Sequence, residues 1–287
     1  NSYKALFFYH PLPQLSHALL ADDVKVHPEI IQSYAQESDS SASDTLTRHL
    51  ILEAELADVI FCASNYTKRS LEYVGIAENK IEVVPYGMDP SPPRINSNAT
   101  AISPNSVKKC RFLYVGQGVQ RKGIHHLLKA WSISGLHKDS TLTLVVNRMD
   151  PGLKNLTQQR GIFIKSGLTN EELQNTYRSH DIFVMPSLCE GFGLVYLEAL
   201  ANGLHCIGTN NTGLPDLELD SSKASIVPTG NIEELATQMQ KLNIRFKSGE
   251  IDRKAIISSS MTNDWPSHRK KIIEKLSNRI ENSSSAL

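Results

Sequence analysis

The chain has 287 residues, 40% of them hydrophobic, and its 30 Lys and Arg balance 30 Asp and Glu to a net charge of zero. Such a balance excludes a general attraction to nucleic acid or anionic membrane, while leaving room for a local basic face; no apolar run reaches the length of a membrane span. The length suits two domains with real cores, and four widely spaced cysteines (Cys62, Cys110, Cys189, Cys206) without a CxxC pair indicate reduced thiols in a cytoplasmic protein.

In chain order, residues 5–9 read as a buried strand that His10-Pro11-Leu12-Pro13 must end. A chain that opens inside a strand, at Asn1 and not Met, looks cut from a longer product. Residues 14–43 are polar, close on a Ser-rich run, and read as a loop region holding a short helix at most. Residues 44–57 read as a helix with Leu46, Leu50, Leu52, Ala54 and Leu56 on its apolar face, 58–63 as a strand, 66–73 as a helix capped by Ser64, and 81–84 as a strand. Pro, Ser and Asn dominate residues 90–106, which mark the best domain boundary.

A second alternation follows. Strands are expected over 111–115, 141–146, 162–165, 182–186 and 205–208, with helices over 123–134, 170–179, 193–202 and 232–242. Alternating βα units predict a parallel sheet covered on both faces, with ligands bound beyond the carboxyl ends of its strands. Residues 264–281 form a final amphipathic helix with Ile272, Ile273, Leu276 and Ile280 on one side, and the Ser-rich tail from Ser283 reads as disordered.

Two segments carry chemistry. In the first, the strand at 182–186 runs into Ser187-Leu188-Cys189-Glu190-Gly191-Phe192-Gly193-Leu194 and a helix. A strand, a glycine-rich turn and a helix start present free amides and a positive helix end to an anion. Gly191 and Gly193 admit a ligand close to the backbone. Acids on each side, Glu190 and Glu198, point to hydroxyl groups gripped together with phosphates, as in a sugar nucleotide. In the second segment, the strand at 111–115 leads through Gly116-Gln117-Gly118-Val119-Gln120-Arg121-Lys122-Gly123 into a helix. Arg121 stands where a dinucleotide fingerprint needs its third glycine, and Lys122-Gly123-Ile124 breaks the P-loop pattern. Cations at a helix N-terminus oppose the helix dipole, a conflict that a bound diphosphate relieves. Taken alone, the turn fits a solvated basic loop equally well.

With these segments in view, the chain resembles glycosyltransferase family 4, retaining enzymes of the GT-B fold. Glu190 to Glu198, within Glu-Gly-Phe-Gly-Leu-Val, has the family's Glu-x7-Glu spacing, and Val115-Gly116 with Lys122-Gly123 matches its Val-Gly-Arg and Lys-Gly element except that Gln117 replaces the arginine. Similar stretches are Glu55 to Ile60 with Ser64, Val84 to Asp89, residues 171–187 and Thr212-Gly213-Leu214-Pro215-Asp216, so that the likeness spans roughly residues 3–280. It implies an α/β, GT-B-like fold of two Rossmann-like parallel-sheet domains facing each other, the first incomplete. Residues 1–90 would be a partial acceptor-side domain, 91–263 the nucleotide-sugar donor domain, and 264–287 a helix crossing back to the first domain plus the tail.

The resemblance also assigns roles. Glu198 takes the ribose hydroxyls and Glu190 the donor sugar. Lys122 neutralises the departing diphosphate, with Gly116, Gln117, Arg121 and Ser187 nearby and Arg121 compensating for Gln117. His10 approaches the donor sugar, although a lone histidine before proline is often structural. Leu168 flanks the base, and the amides of Phe192, Gly193 and Leu194 meet sugar or phosphate oxygens. Cys189 has no histidine partner and is not taken as a nucleophile. No Asp-x-Asp pair follows a strand, so no metal and no cofactor are expected; the nucleoside-diphosphate sugar is the donor substrate. The predicted activity is retaining transfer of a hexosyl unit to a glycan, lipid or small-molecule hydroxyl, in the cytoplasm or at the membrane surface by peripheral association, without nucleic acid. The alternative is a non-catalytic sugar-nucleotide-binding protein or subunit. A GT-B epimerase or phosphorylase lacks its expected signature here, and the sequence carries no sign of oligomeric state.

Overall fold

A computed structural model describes residues 3–41, 44–89 and 109–284. The first part of the chain gives β1 (Ala5–Phe8), α1 (Pro13–Val26), α2 (Ile31–Ser41), α3 (Asp44–Leu56), β2 (Val59–Cys62), α4 (Asn65–Tyr73) and β3 (Ile81–Val83). The three strands form a parallel sheet with β2 in the middle, Leu6 opposite Ile60 and Ile60 opposite Ile81. Alternate residues of β2 serve opposite faces, as the two-residue period requires. Ile60 and Cys62 pack with Phe8, Leu12, Ala54 and Leu71, whereas Val59 and Phe61 face Ile272 and Leu276 of the last helix.

The second part gives β4 (Cys110–Val115), α5 (Ile124–Ser134), β5 (Ser140–Val145), α6 (Lys154–Thr157), β6 (Ile162–Lys165), α7 (Asn170–Arg178), β7 (Ile182–Val184), α8 (Leu194–Ala201), β8 (His205–Thr209), β9 (Ala224–Val227) and α9 (Ile232–Lys247). Two further helices follow, α10 (Arg253–Ser260) and α11 (Trp265–Ser284). Its six strands are all parallel in the order β6-β5-β4-β7-β8-β9. This is the doubly wound arrangement, and its direction reverses between β4 and β7, where a crevice opens beyond the strand ends. Near-continuous apolar runs in β4 and β7 follow from burial on both faces, and β8 is buried along its whole length. Trp131 of α5 stands edge-on to Phe112 at 5.9 Å in the core. The molecule is thus the expected α/β fold with two parallel sheets.

The two sheets meet through polar contacts. Ser64 caps α4 by accepting from the Thr67 amide at 3.1 Å, and its hydroxyl donates to the Gly191 carbonyl. The Thr67 hydroxyl donates to the same carbonyl at 3.3 Å. Asn65 bonds to Asp216, and Arg69 donates to the Asn210 carbonyl at 2.9 Å. α11 returns to the first sheet, where Glu82 accepts from Lys275 at 2.6 Å and from Arg279 at 2.9 Å. No helix among the described residues is long and apolar enough to cross a membrane.

Several elements differ from expectation. Residues 14–41 are two helices where a loop region was expected, with Pro13 in the first turn of α1 and the buried Leu12 just before it. α2 is mostly polar, and in α1 the apolar residues are interrupted by Asp22, Asp23 and Lys25, which weakens the periodic signal. The four-residue β9 and the short α6 and α10 were not foreseen; Asp252 starts α10 by accepting from the Lys254 and Ala255 amides. α9 continues to Lys247, past the expected end at 242. Ser283 and Ser284 close α11 instead of opening a disordered tail, and residues 90–106 and the last three residues lie outside those described.

The Glu82 carboxyl is held below the usual range: burial pushes it up, but hydrogen bonds and attraction from Lys275 and Arg279 more than reverse this. A depressed folded pKa supplies stability above the unfolded value of about 4.3 and loses it as pH falls through the folded value. Glu82→Gln should therefore lower Tm at pH 7, and its gap from the wild type should close on acidification; thermal melts across pH 3–7 measure both.

Candidate active site

The two glycine turns leave the adjacent strands β4 and β7, at the reversal point of the sheet. After β4, the Tyr114 hydroxyl donates to the Gln117 carbonyl at 2.6 Å and folds the chain into its turn. Gly118 pairs with Met149, its amide donating to the Arg148 carbonyl at 2.7 Å and its carbonyl accepting from the Asp150 amide at 2.8 Å. Gln117 is left exposed at the rim beside Gly116. The turn ends at Gly123 with φ +64°, where a Cβ would overlap the Pro186 carbonyl oxygen. Only glycine lets this backbone lie directly on the loop after β7. The Leu188 amide then donates to the Arg121 carbonyl at 2.8 Å, so the two loops are joined through main chain.

That junction sets the charges. Glu190 Oε2 accepts from Arg121 Nη1 at 3.3 Å and pairs with Lys122 Nζ. The Glu190 side chain is 11% exposed and that of Lys122 13%. A carboxylate so far from water costs several kcal/mol unless cations accompany it. Its pKa records the balance: burial pushes it up, and the nearby Lys122, Arg121 and His10 pull it below the usual range. Glu190 is therefore an anion near neutral pH and not a proton donor. His10 sits exposed just past β1, with its Cα about 3.6 Å from where a Cβ on Gly191 would stand.

Glu198 has a different setting. It is half-buried on α8 and accepts from the Tyr177 hydroxyl at 2.8 Å. Cations hold one acid and a phenol holds the other, which fits separate jobs. Between them, Gly193 has φ +89° and precedes the first residue of α8, Leu194, which is 44% exposed. The first amides of a helix have no intrahelical acceptor, and in the first turn of α8 the Tyr196 amide is taken up by the Gly193 carbonyl at 3.0 Å. Phe192 is buried edge-on to Tyr86 at 5.3 Å, so its ring anchors the loop. Leu194 also lines a cavity of about 640 Å³ with Phe7, Tyr9, His10, Tyr86 and Trp265.

The structure thus brings together Glu190, Lys122, Arg121 and His10, with Gly193 and Leu194 beside them. Ser187 lies beneath the surface, fully buried; its Oγ has no partner among the described residues, and its carbonyl accepts from Thr209 at 2.6 Å. Leu168 is half-buried after β6, packed on the main core. Tyr177 and Asn211 were missed by sequence reasoning. Asn211 accepts the Glu190 amide at 3.0 Å and donates its side chain to the Leu188 carbonyl at 3.0 Å. The Asn210-Asn211-Thr212 turn was its only local signal. Cys189 is buried, as are the other three cysteines, and no disulfide joins them.

Residues 97–250 match the family model of glycosyl transferases group 1. The chain is 26% identical over 200 residues to the MMP alpha-(1->4)-mannosyltransferase of Mycolicibacterium hassiacum, covering 66% of this chain and 46% of that protein. It spans about half or less of the length of the curated relatives it matches first. In fold it is similar to sucrose-phosphate synthase from Thermosynechococcus elongatus (TM-score 0.66, 20% identity, 86% of this chain and 64% of that one). It is likewise similar to HepE from Anabaena, solved in complex with UDP-glucose (TM-score 0.63, 17% identity, 84% and 70%).

The contact between Gly123 and Pro186 gives a direct check. Gly135 has a similar φ of +67°, but a Cβ there meets nothing within 4 Å. Gly123→Ala should lose clearly more stability in urea unfolding than Gly135→Ala, whose backbone strain alone costs on the order of 1 kcal/mol.

Proposed function

The chain belongs to the family of glycosyl transferases group 1, and from that premise we propose that it serves as a retaining, metal-independent hexosyltransferase using a nucleoside-diphosphate sugar. The observation that carries this reading is the convergence of Lys122 and Arg121 with Glu190 at the β4–β7 reversal point, next to the start of α8. A diphosphate needs fixed positive charge where its leaving oxygen develops negative charge, and preorganised cations supply that without a metal. The UDP-glucose of the Anabaena neighbour supports a nucleotide-sugar donor. We assign residues 1–90 to the acceptor side, 91–263 to the donor side and 264–287 to the returning helix and tail.

In this mechanism Lys122 and Arg121 turn from Glu190 toward the diphosphate, and the early amides of α8 receive phosphate oxygens. Glu190 is freed to accept sugar hydroxyls and to orient the anomeric carbon. Glu198 exchanges or shares its Tyr177 bond with ribose hydroxyls. The bond from the anomeric carbon to the phosphate oxygen breaks while the acceptor hydroxyl attacks from the same face. The hydroxyl proton passes to the departing phosphate oxygen, which preserves the anomeric configuration. His10 approaches the sugar from the end of β1. The acceptor is a glycan, lipid or small-molecule hydroxyl.

A second reading, a non-catalytic sugar-nucleotide binder, is favoured by Gln117, which leaves one cation fewer at the turn, and by the mutual neutralisation of Glu190 and Lys122. Release of nucleoside diphosphate from UDP- and GDP-sugars by the complete gene product distinguishes the two. Lys122→Ala and Glu190→Ala should each lower turnover by about 10²- to 10³-fold, the usual scale for removing a preorganised charge. Adding or omitting Mg²⁺ or Mn²⁺ should leave the rate unchanged. Unaltered turnover in both variants overturns the residue assignment, and a thermal shift with donor but no diphosphate release favours the binder.

A further inference from the structure

Away from the acidic loop, α1 and α5 enclose a group of side chains that sugar transfer does not use. Asp23 and His27 lie four residues apart, one turn along the end of α1. His125 and His126 open α5. His125 Nε2 is 3.0 Å from Asp23 Oδ2, His126 Nε2 is 2.7 Å from Asp23 Oδ1, and His27 Nε2 is 4.0 Å from the same oxygen. One ligand atom from each of the four residues falls within 4.8 Å of all the others. The side chains are 6%, 12%, 0% and 3% exposed in the order Asp23, His27, His125, His126.

We propose that Asp23, His27, His125 and His126 form a binding site for one divalent cation of the zinc type. Tetrahedral zinc with bonds of about 2.0–2.1 Å holds its ligand atoms about 3.4 Å apart, so the observed spacings bracket the required one. Three imidazoles and a carboxylate are a donor set suited to zinc. Charge points the same way: among the described residues Asp23 has no lysine or arginine partner, while Lys129 is matched by Glu29 at 2.6 Å. A buried carboxylate with no lysine or arginine beside it favours a bound cation.

Part of a supporting layer is in place, while the buried His125 Nδ1 has no partner among the described residues. Gln120 Nε2 donates to Asp23 Oδ2 at 2.8 Å and to the Leu20 carbonyl at 2.7 Å, fixing the carboxylate. Lys129 Nζ lies 2.6 Å from His27 Nδ1 and 2.6 Å from Glu29, so metal binding at His27 Nε2 requires Lys129 to withdraw toward Glu29. All four positions come from protein, which marks a structural site and not a catalytic one. The ion would pin α1 to α5 immediately after the Lys122-Gly123 turn, and so hold the cation turn against the first sheet. This role is independent of sugar transfer.

The test uses the 287-residue chain stripped with a chelator and titrated with Co²⁺, which reports tetrahedral coordination by intense visible bands. One equivalent should bind, Zn²⁺ should displace it, and saturating zinc should raise Tm by on the order of 5 °C. Asp23→Asn and His27→Gln, with far-UV circular dichroism confirming a folded chain, should abolish the bands, and Gln120→Ala should weaken binding about 10- to 100-fold. His27→Gln replaces the most exposed ligand and so spares the core. Absence of stoichiometric cobalt uptake by the wild-type chain, or bands that persist in both ligand variants, overturns the site and leaves a hydrogen-bonded Asp–His cluster only.

Discussion

A nearly buried carboxylate, Glu190, can exist where it does only because Arg121 and Lys122 reach it. Their reach depends on Gly123, whose left-handed backbone lies on the Pro186 carbonyl with no room for a side chain. The two loops are locked by main chain first and by charge second. Removing one ion of such a buried group leaves the others uncompensated, which is why the arrangement behaves as one unit. Under the proposed function this gives the site a resting state, in which the anion assigned to sugar and the cations assigned to phosphate neutralise one another until a ligand of both kinds replaces the exchange.

Three buried tyrosines hold this crevice by their hydroxyls. Tyr114 ties the first turn at Gln117, Tyr196 donates to the Met185 carbonyl at 2.6 Å behind the second, and Tyr177 holds Glu198. Each ring fills the core while its hydroxyl donates to a main-chain or acidic oxygen at the edge of the crevice. The core and the site are therefore built from the same side chains, and packing defects in one would be felt as displacement in the other.

What the sequence made legible follows the local nature of its signals. The second sheet, with apolar runs between glycine turns and amphipathic helices, was readable because period and punctuation lie within a dozen residues. Glu190, Lys122 and Arg121 were readable for the same reason, since each sits at the end of a strand in a turn that only glycine can make. Tyr177 was not, because its bond to Glu198 joins α7 to α8 through folded packing. α1 and α2 were missed because their helicity rests on tertiary contacts such as the Ser33 amide to Asp150 Oδ2 at 2.6 Å. A polar sequence that is helical by docking carries little periodicity. The Asp23 cluster was hidden with α1: a histidine pair at 125–126 acquires meaning only once a distant helix brings a carboxylate to it.

The Gly191 carbonyl accepts the hydroxyls of Ser64 and Thr67 from α4, one residue after Glu190. Cleft opening by rotation of one sheet away from the other has to break these bonds at the peptide that follows the acid. Hinge motion and acid-loop placement are thereby one coordinate. Under the proposed sugar transfer, a crevice widening for product escape would loosen Glu190 at the same moment, and reclosure would reset it.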